Sequence, residues 1–187
     1  MSIIEQYKET QQLTLGLMQG LSADQLGAQT PCTEWDVRAL CNHVVGGAHM
    51  FLGALQGGDM PAPGAETPDM VGDDPAAAYQ AASDALLAGY SADGALEQIV
   101  PMPFGEMPGQ VVMSLAMADH LTHAWDLAKA TGQSFSPPDE LAQAASGVWH
   151  QFITPEFRAS GAFADEQSVS EGASAVEQLA GFTGRTP

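Results

Sequence analysis

Apolar residues recur at three- and four-residue steps along much of this chain, and glycine, proline and aspartate break the pattern between the runs. That period predicts helices with one buried face. The first run, residues 2–20, carries Ile3, Ile4, Tyr7, Leu13, Leu17 and Met18, with Ser2 as N-cap and Gly20 as stop. The second is the clearest: Val37, Cys41, Val44, Ala48, Phe51 and Leu55 form a stripe about five turns long. Thr33 is its expected N-cap, and Asp36 places a charge in its first turn. A third helix is predicted over 75–89, entered through Asp74 and Pro75, with Tyr79, Ala82, Leu86 and Leu87 inward.

Residues 112–132 predict the helix around which the others are arranged. Val112, Leu115, Ala116, Trp125, Leu127 and Ala128 are available to neighbouring helices, and Gly132 ends it. A fifth helix is expected from Pro137 and Pro138, capped by Ser136, to Phe157, with Leu141, Ala145, Val148, Trp149, Phe152 and Ile153 on its buried side. A short closing helix follows over 173–183, ending at Gly184. Between helices, residues 57–74 read as a loop without periodicity, and 94–110 as an extended crossover with a short β-like piece at Leu96–Val100. There is no internal repeat. The expectation is an all-α single domain spanning 1–187: four principal antiparallel helices, one long crossover and a short C-terminal helix.

Composition sharpens this in one respect. Twenty-three acidic residues face five basic ones (Lys8, Arg38, Lys129, Arg158 and Arg185), for a formal charge of −18. Such a chain repels phosphate backbones and anionic bilayers, so nucleic acid and membrane are excluded as partners. Neither an export signal nor an apolar run of spanning length is evident, which predicts a cytoplasmic protein with Cys32 and Cys41 as reduced thiols.

The chemistry concentrates on the fourth helix. Asp119 and His123 are spaced i,i+4 and project from one face, a two-point clamp for a divalent metal if a third ligand arrives from elsewhere. Two polar residues one turn apart also suit a solvated face. His43, at the margin of the second helix's apolar stripe, is available either as the third ligand or as a hydrogen-bonded packing residue. Three protein ligands with a vacant fourth position describe a catalytic rather than a structural site. His120 is rotated by about 100° from Asp119 on an ideal helix and is not expected to join them. His49 and His150 have no role in this reading. Asp126 reads either as an outer partner orienting His123 or as a polar residue at a helix crossing. Arg185 reads either as an anchor pairing with a carboxylate or as a solvated tail residue. Cys32 is expected to pack as a small apolar residue rather than act as a redox thiol, and Trp35 and Trp125 to be core aromatics.

The run TPCTEWDVRALCNH at residues 30–43, followed by VVGG, resembles the start of the second helix in the actinobacterial metal-binding branch of the DinB-like superfamily. That branch includes the N-terminal domain of mycothiol-dependent maleylpyruvate isomerase. DHLTHAWDLAKATG at 119–132 resembles the branch's second motif, and LAGFTGRTP at 179–187 its closing one. The resemblance implies a DinB-like four-helix bundle holding a divalent metal, often zinc or nickel, on His43, Asp119 and His123. It also implies thiol-dependent chemistry of the transferase or isomerase type. The metal would engage the sulfur of a low-molecular-weight thiol such as mycothiol, with an electrophilic small molecule as second substrate and a monomer or homodimer as the assembly.

Two departures matter. The isomerase has glutamate where Asp119 stands, and it carries a C-terminal domain with no counterpart expected here, so isomerase activity itself is not implied. A non-catalytic, metal-stabilised binding module and a small metal-dependent hydrolase stay open as alternatives. No nucleophile-elbow, P-loop or dinucleotide motif competes.

Overall fold

The structure, a computed structural model, describes residues 1–33, 35–58, 68–103, 105–159 and 161–187. The expected loop at 57–74 therefore lies in part outside the described residues. In chain order the elements are α1 (Ile3–Gln19), a 3-10 turn (Ala23–Gln25), α2 (Val37–Leu55), α3 (Pro75–Tyr90), β1 (Ile99–Met102), β2 (Gly105–Pro108), α4 (Gly109–Thr131), α5 (Asp139–Phe152), α6 (Pro155–Ala159) and α7 (Ala175–Phe182). Among the described residues the fold is all-α apart from one small hairpin, and it agrees with a DinB-like bundle. Among the described residues no helix is long and apolar enough to cross a membrane.

α1 and α2 each pack against both α3 and α4, and α5 and α7 cover α4 from outside that group. α4 is thus enclosed on most sides, which is why its apolar residues do not form a single stripe. Met113, Met117, Leu121 and Leu127 are all fully buried along it. Each contributes about 1.5–3 kcal/mol relative to an exposed position.

The helix starts show where local signals decide and where packing does. Ser2 and Glu5 form a reciprocal capping box, as Ser174 and Glu177 do for α7. α3 begins as expected, with Asp74 accepting from the Ala77 N–H at 3.0 Å. α2, however, is capped by Asp36, which accepts from Ala39 N–H at 2.8 Å, and not by Thr33. The Thr30 hydroxyl donates to the carbonyls of Cys32 and Trp35, and Trp35 N–H donates to Cys32. These bonds draw Thr30, Cys32 and Trp35 into a closed loop. Val37 and Arg38 then spend their N–H groups on Ala28 and Leu26, so the helix cannot start earlier.

α4 starts at Gly109, three residues before the expected position. Gly109 and Gln110 donate to the carbonyls of Gln98 and Leu96, and a Cβ at 109 would overlap the Ala95 carbonyl oxygen. Only glycine permits that approach. The β-like piece is displaced to Ile99–Met102 and has a partner the sequence did not announce: Val100 lies opposite Met107 in an antiparallel pair. α5 begins after Pro138 rather than at a Ser136 cap, and it stops at Phe152. Pro155 cannot continue it, and the chain restarts as α6.

Candidate metal centre

Three side chains from two helices meet at one point. His43 comes from the middle of α2, and Asp119 and His123 from successive turns of α4. Nε2 of His43 and Nε2 of His123 each lie 3.5 Å from the same carboxylate oxygen, Oδ1 of Asp119. One donor atom from each residue falls within 4.8 Å of the other two. The group is graded in exposure: the His43 side chain is 36% exposed, Asp119 18% and His123 8%. The cluster is therefore open on the His43 side and closed on the His123 side.

Electrostatics follow from that geometry. Burial alone would push the Asp119 carboxyl up, but the charges of His123 and His43 and their hydrogen bonds outweigh it and hold it well below the carboxylate range. Burial would likewise favour neutral His123. The Asp119 charge, with hydrogen bonds to Asp119, Asp126 and Cys32, reverses this and raises the imidazole well above its ordinary value. A cation arriving at the cluster would have to displace that proton.

The closed side is a second polar layer. His123 Nδ1 donates to Asp126 Oδ2 at 2.9 Å, so its Nε2 is the atom left facing Asp119. Asp126 is fully buried and gripped by Arg185, through Nε to Oδ1 at 3.1 Å and Nη2 to Oδ2 at 2.8 Å. Asp126 thus takes the orienting role of its two readings, and Arg185 the anchoring one. Cys32 differs from expectation. Its thiol donates to Asp126 Oδ2 at 3.3 Å and accepts from Arg185 Nη2 at 2.9 Å, so it belongs to a polar network instead of packing as an apolar residue. Cys41 does behave as a buried apolar residue, and burial pushes its thiol up to about 12.

Cys32, His123 and Asp126 also lie close enough together to suggest a metal position. The guanidinium already fills that role there, since Arg185 contacts both Cys32 and Asp126. A cation added beside it would be repelled. Trp35 also differs from expectation. It is half-buried rather than core, with its ring 4.4 Å from that of His43 and 5.6 Å from that of His123. Trp125 is buried as expected. The signal for Cys32 and Trp35 was present in the TPCTEW run, but only the closed loop shows that both face the cluster.

His120 stands apart from the cluster, with its ring turned to Tyr7 and Tyr79. It is fully buried, and its Nδ1 lies 3.3 Å from the Tyr7 hydroxyl and 3.1 Å from that of Tyr79. Burial dominates over the Asp119 charge and lowers its pKa to about 4. An unfolded histidine takes up its proton near pH 6.5, so the unfolded state binds more protons between there and about pH 4, and stability falls across that window. Wild type should lose on the order of 3 kcal/mol from this group on going from pH 7 to pH 4. His120→Gln should show a correspondingly flatter dependence in urea melts, and parallel curves would refute this account. Of the remaining histidines, His49 is exposed, and His150 is exposed and stacked on Phe182 at 3.7 Å.

Residues 8–128 match the mycothiol maleylpyruvate isomerase N-terminal domain. The chain belongs to that family. The matched span contains His43, Asp119, His123, Asp126, Cys32 and Trp35, and it stops short of Arg185. Two proteins of Mycobacterium tuberculosis, the uncharacterized proteins MT0763 and Rv0738, are each 38% identical over 181 residues, covering 96% of this chain and 96% of their own length. No solved structure matches the chain.

Proposed function

We propose that this protein holds a divalent metal, zinc in preference to nickel, on His43, Asp119 and His123. We further propose that it is an enzyme of the thiol-dependent transferase or isomerase type. Its substrates would be a low-molecular-weight thiol such as mycothiol and an electrophilic small molecule. The observation that carries this is the aim of two imidazole Nε2 atoms, from different helices, at one oxygen of Asp119. Two neutral nitrogen donors and one carboxylate suit zinc and leave a position free. Membership of a mycothiol-related family supports the choice of thiol.

A bound divalent cation would supply the Lewis acidity that favours loss of a thiol proton near neutral pH. The chain's own residues do the rest. His43 leaves the approach open to a thiol from solvent, while the half-buried Trp35 ring walls that approach on one side. Asp126 keeps the His123 Nδ1 proton engaged, so that Nε2 is free to donate its lone pair.

Purified protein should contain about one zinc per chain or bind it stoichiometrically. Adding mycothiol to the zinc-loaded protein at neutral pH should then release protons, because a free thiol of pKa about 8.5 stays largely protonated there. A cobalt-substituted sample should change its visible spectrum in the same titration. Zinc-loaded protein giving neither signal with any small thiol would move the assignment to a non-catalytic, metal-stabilised binding module.

A further inference from the structure

After α7 the chain reverses at Gly184, at φ +90°, and this turn carries the Arg185 side chain into the interior beside the cluster. Arg185 is only 7% exposed and its donors are committed: Nε and Nη2 to the two oxygens of Asp126, Nη1 to the Thr183 carbonyl at 2.8 Å, and Nη2 also to Cys32. A guanidinium engaged this way is not free to bind a substrate anion.

Its geometric effect is on His123. A lone buried carboxylate can rotate and present either oxygen. The two-point fork of arginine fixes the plane of Asp126 and with it the position of Oδ2. That oxygen receives the His123 Nδ1 proton. We propose that Arg185 is a positioning residue: by clamping Asp126 it selects the Nδ1–H tautomer of His123, sets the ring's angle, and keeps Nε2 aimed at Asp119 and His43. The consequence for metal affinity rests on the function proposed above, whereas the effect on the ring does not.

The test compares Arg185→Lys, which keeps the charge but loses the fork, with Asp126→Asn and with Arg158→Gln as control. Arg158 fastens the same C-terminal region through the carbonyls of Ala164 and Phe182 without touching Asp126. Imidazole nitrogen NMR of metal-free protein, at a pH where the ring is neutral, should show a single Nδ1–H tautomer for His123 in wild type and in Arg158→Gln. Arg185→Lys and Asp126→Asn should show mixed tautomers. Both should also bind cobalt about 10- to 100-fold more weakly.

If Arg185→Lys melts earlier but keeps the wild-type ring signature and cobalt affinity, Arg185 is a structural tie only and the proposal is overturned. Should Arg185→Lys fail to fold, Asp126→Asn decides, and an unchanged tautomer there has the same force. Wild type that binds no cobalt at all would defeat the proposed function, while the tautomer spectra would still decide the positioning role.

Discussion

His123→Ala should lower zinc and cobalt affinity by roughly 100- to 1,000-fold with little change in helical content. Structural zinc sites bind with apparent energies of about 10–16 kcal/mol spread over four ligands, so one ligand is worth about 2.5–4 kcal/mol. The fold should survive, because helix packing carries the bundle and Arg185 still neutralises Asp126 after the imidazole has gone. Isothermal titration of wild type, His123→Ala and His120→Gln would check this, with His120→Gln matching wild type. The pH dependence has a definite sign. His123 is held protonated by Asp119 and its hydrogen bonds, and a metal must displace that proton, so affinity should rise with pH through the neutral range. Equal affinity in wild type and His123→Ala would remove the centre from consideration.

Arg185→Ala should destabilise the protein by about 3–5 kcal/mol, the usual effect of removing one member of a buried ion pair. For a chain of this size, that corresponds to a fall in melting temperature of roughly 6–20 °C. The effect is large because Asp126 is fully buried and would lose both guanidinium bonds, keeping only His123 and Cys32 as side-chain partners on one oxygen. Burial raises the Asp126 carboxyl, but the hydrogen bonds from His123 and Arg185, with the charge of Arg185, hold it far below the carboxylate range. A depressed carboxylate stabilises the fold above its unfolded pKa, and that contribution is lost as pH falls through the folded value. In Arg185→Ala the acid transition should therefore begin at a higher pH than in wild type. Thermal melts between pH 3 and pH 8 would show both effects, and a melting temperature within about 1 °C of wild type would mean the pair contributes little.

The periodicity of α1, α2 and α3 was legible in the sequence because each shows one apolar face to the core, and a single buried stripe leaves a 3.6-residue signature. The pairing of Asp119 with His123 was legible for the same reason, since an i,i+4 spacing is a fact about one helix. Rotation set His120 about 100° from Asp119, but it is an i,i+3 neighbour of His123, and only packing against Tyr7 and Tyr79 takes its ring away from the cluster. What happens between elements was not written locally. Thr33 is as good a cap residue as Asp36, and only the bonds from Val37 and Arg38 back to Ala28 and Leu26 decide between them. The second strand is hidden in GEMP because its pairing with Val100 is made across a turn. The TPCTEW run with Cys32 and Trp35, Asp126 on α4 and Arg185 near the C-terminus lie far apart along the chain, and each of these residues alone has an ordinary structural reading. Tertiary structure gathers them: the closed loop of Thr30, Cys32 and Trp35, the inner face of α4 and the reversal at Gly184 bring a thiol, an indole, a carboxylate and a guanidinium around His123. A histidine's tautomer is set by what its other nitrogen touches, and that contact exists only once α4, the loop and the C-terminal turn have packed together.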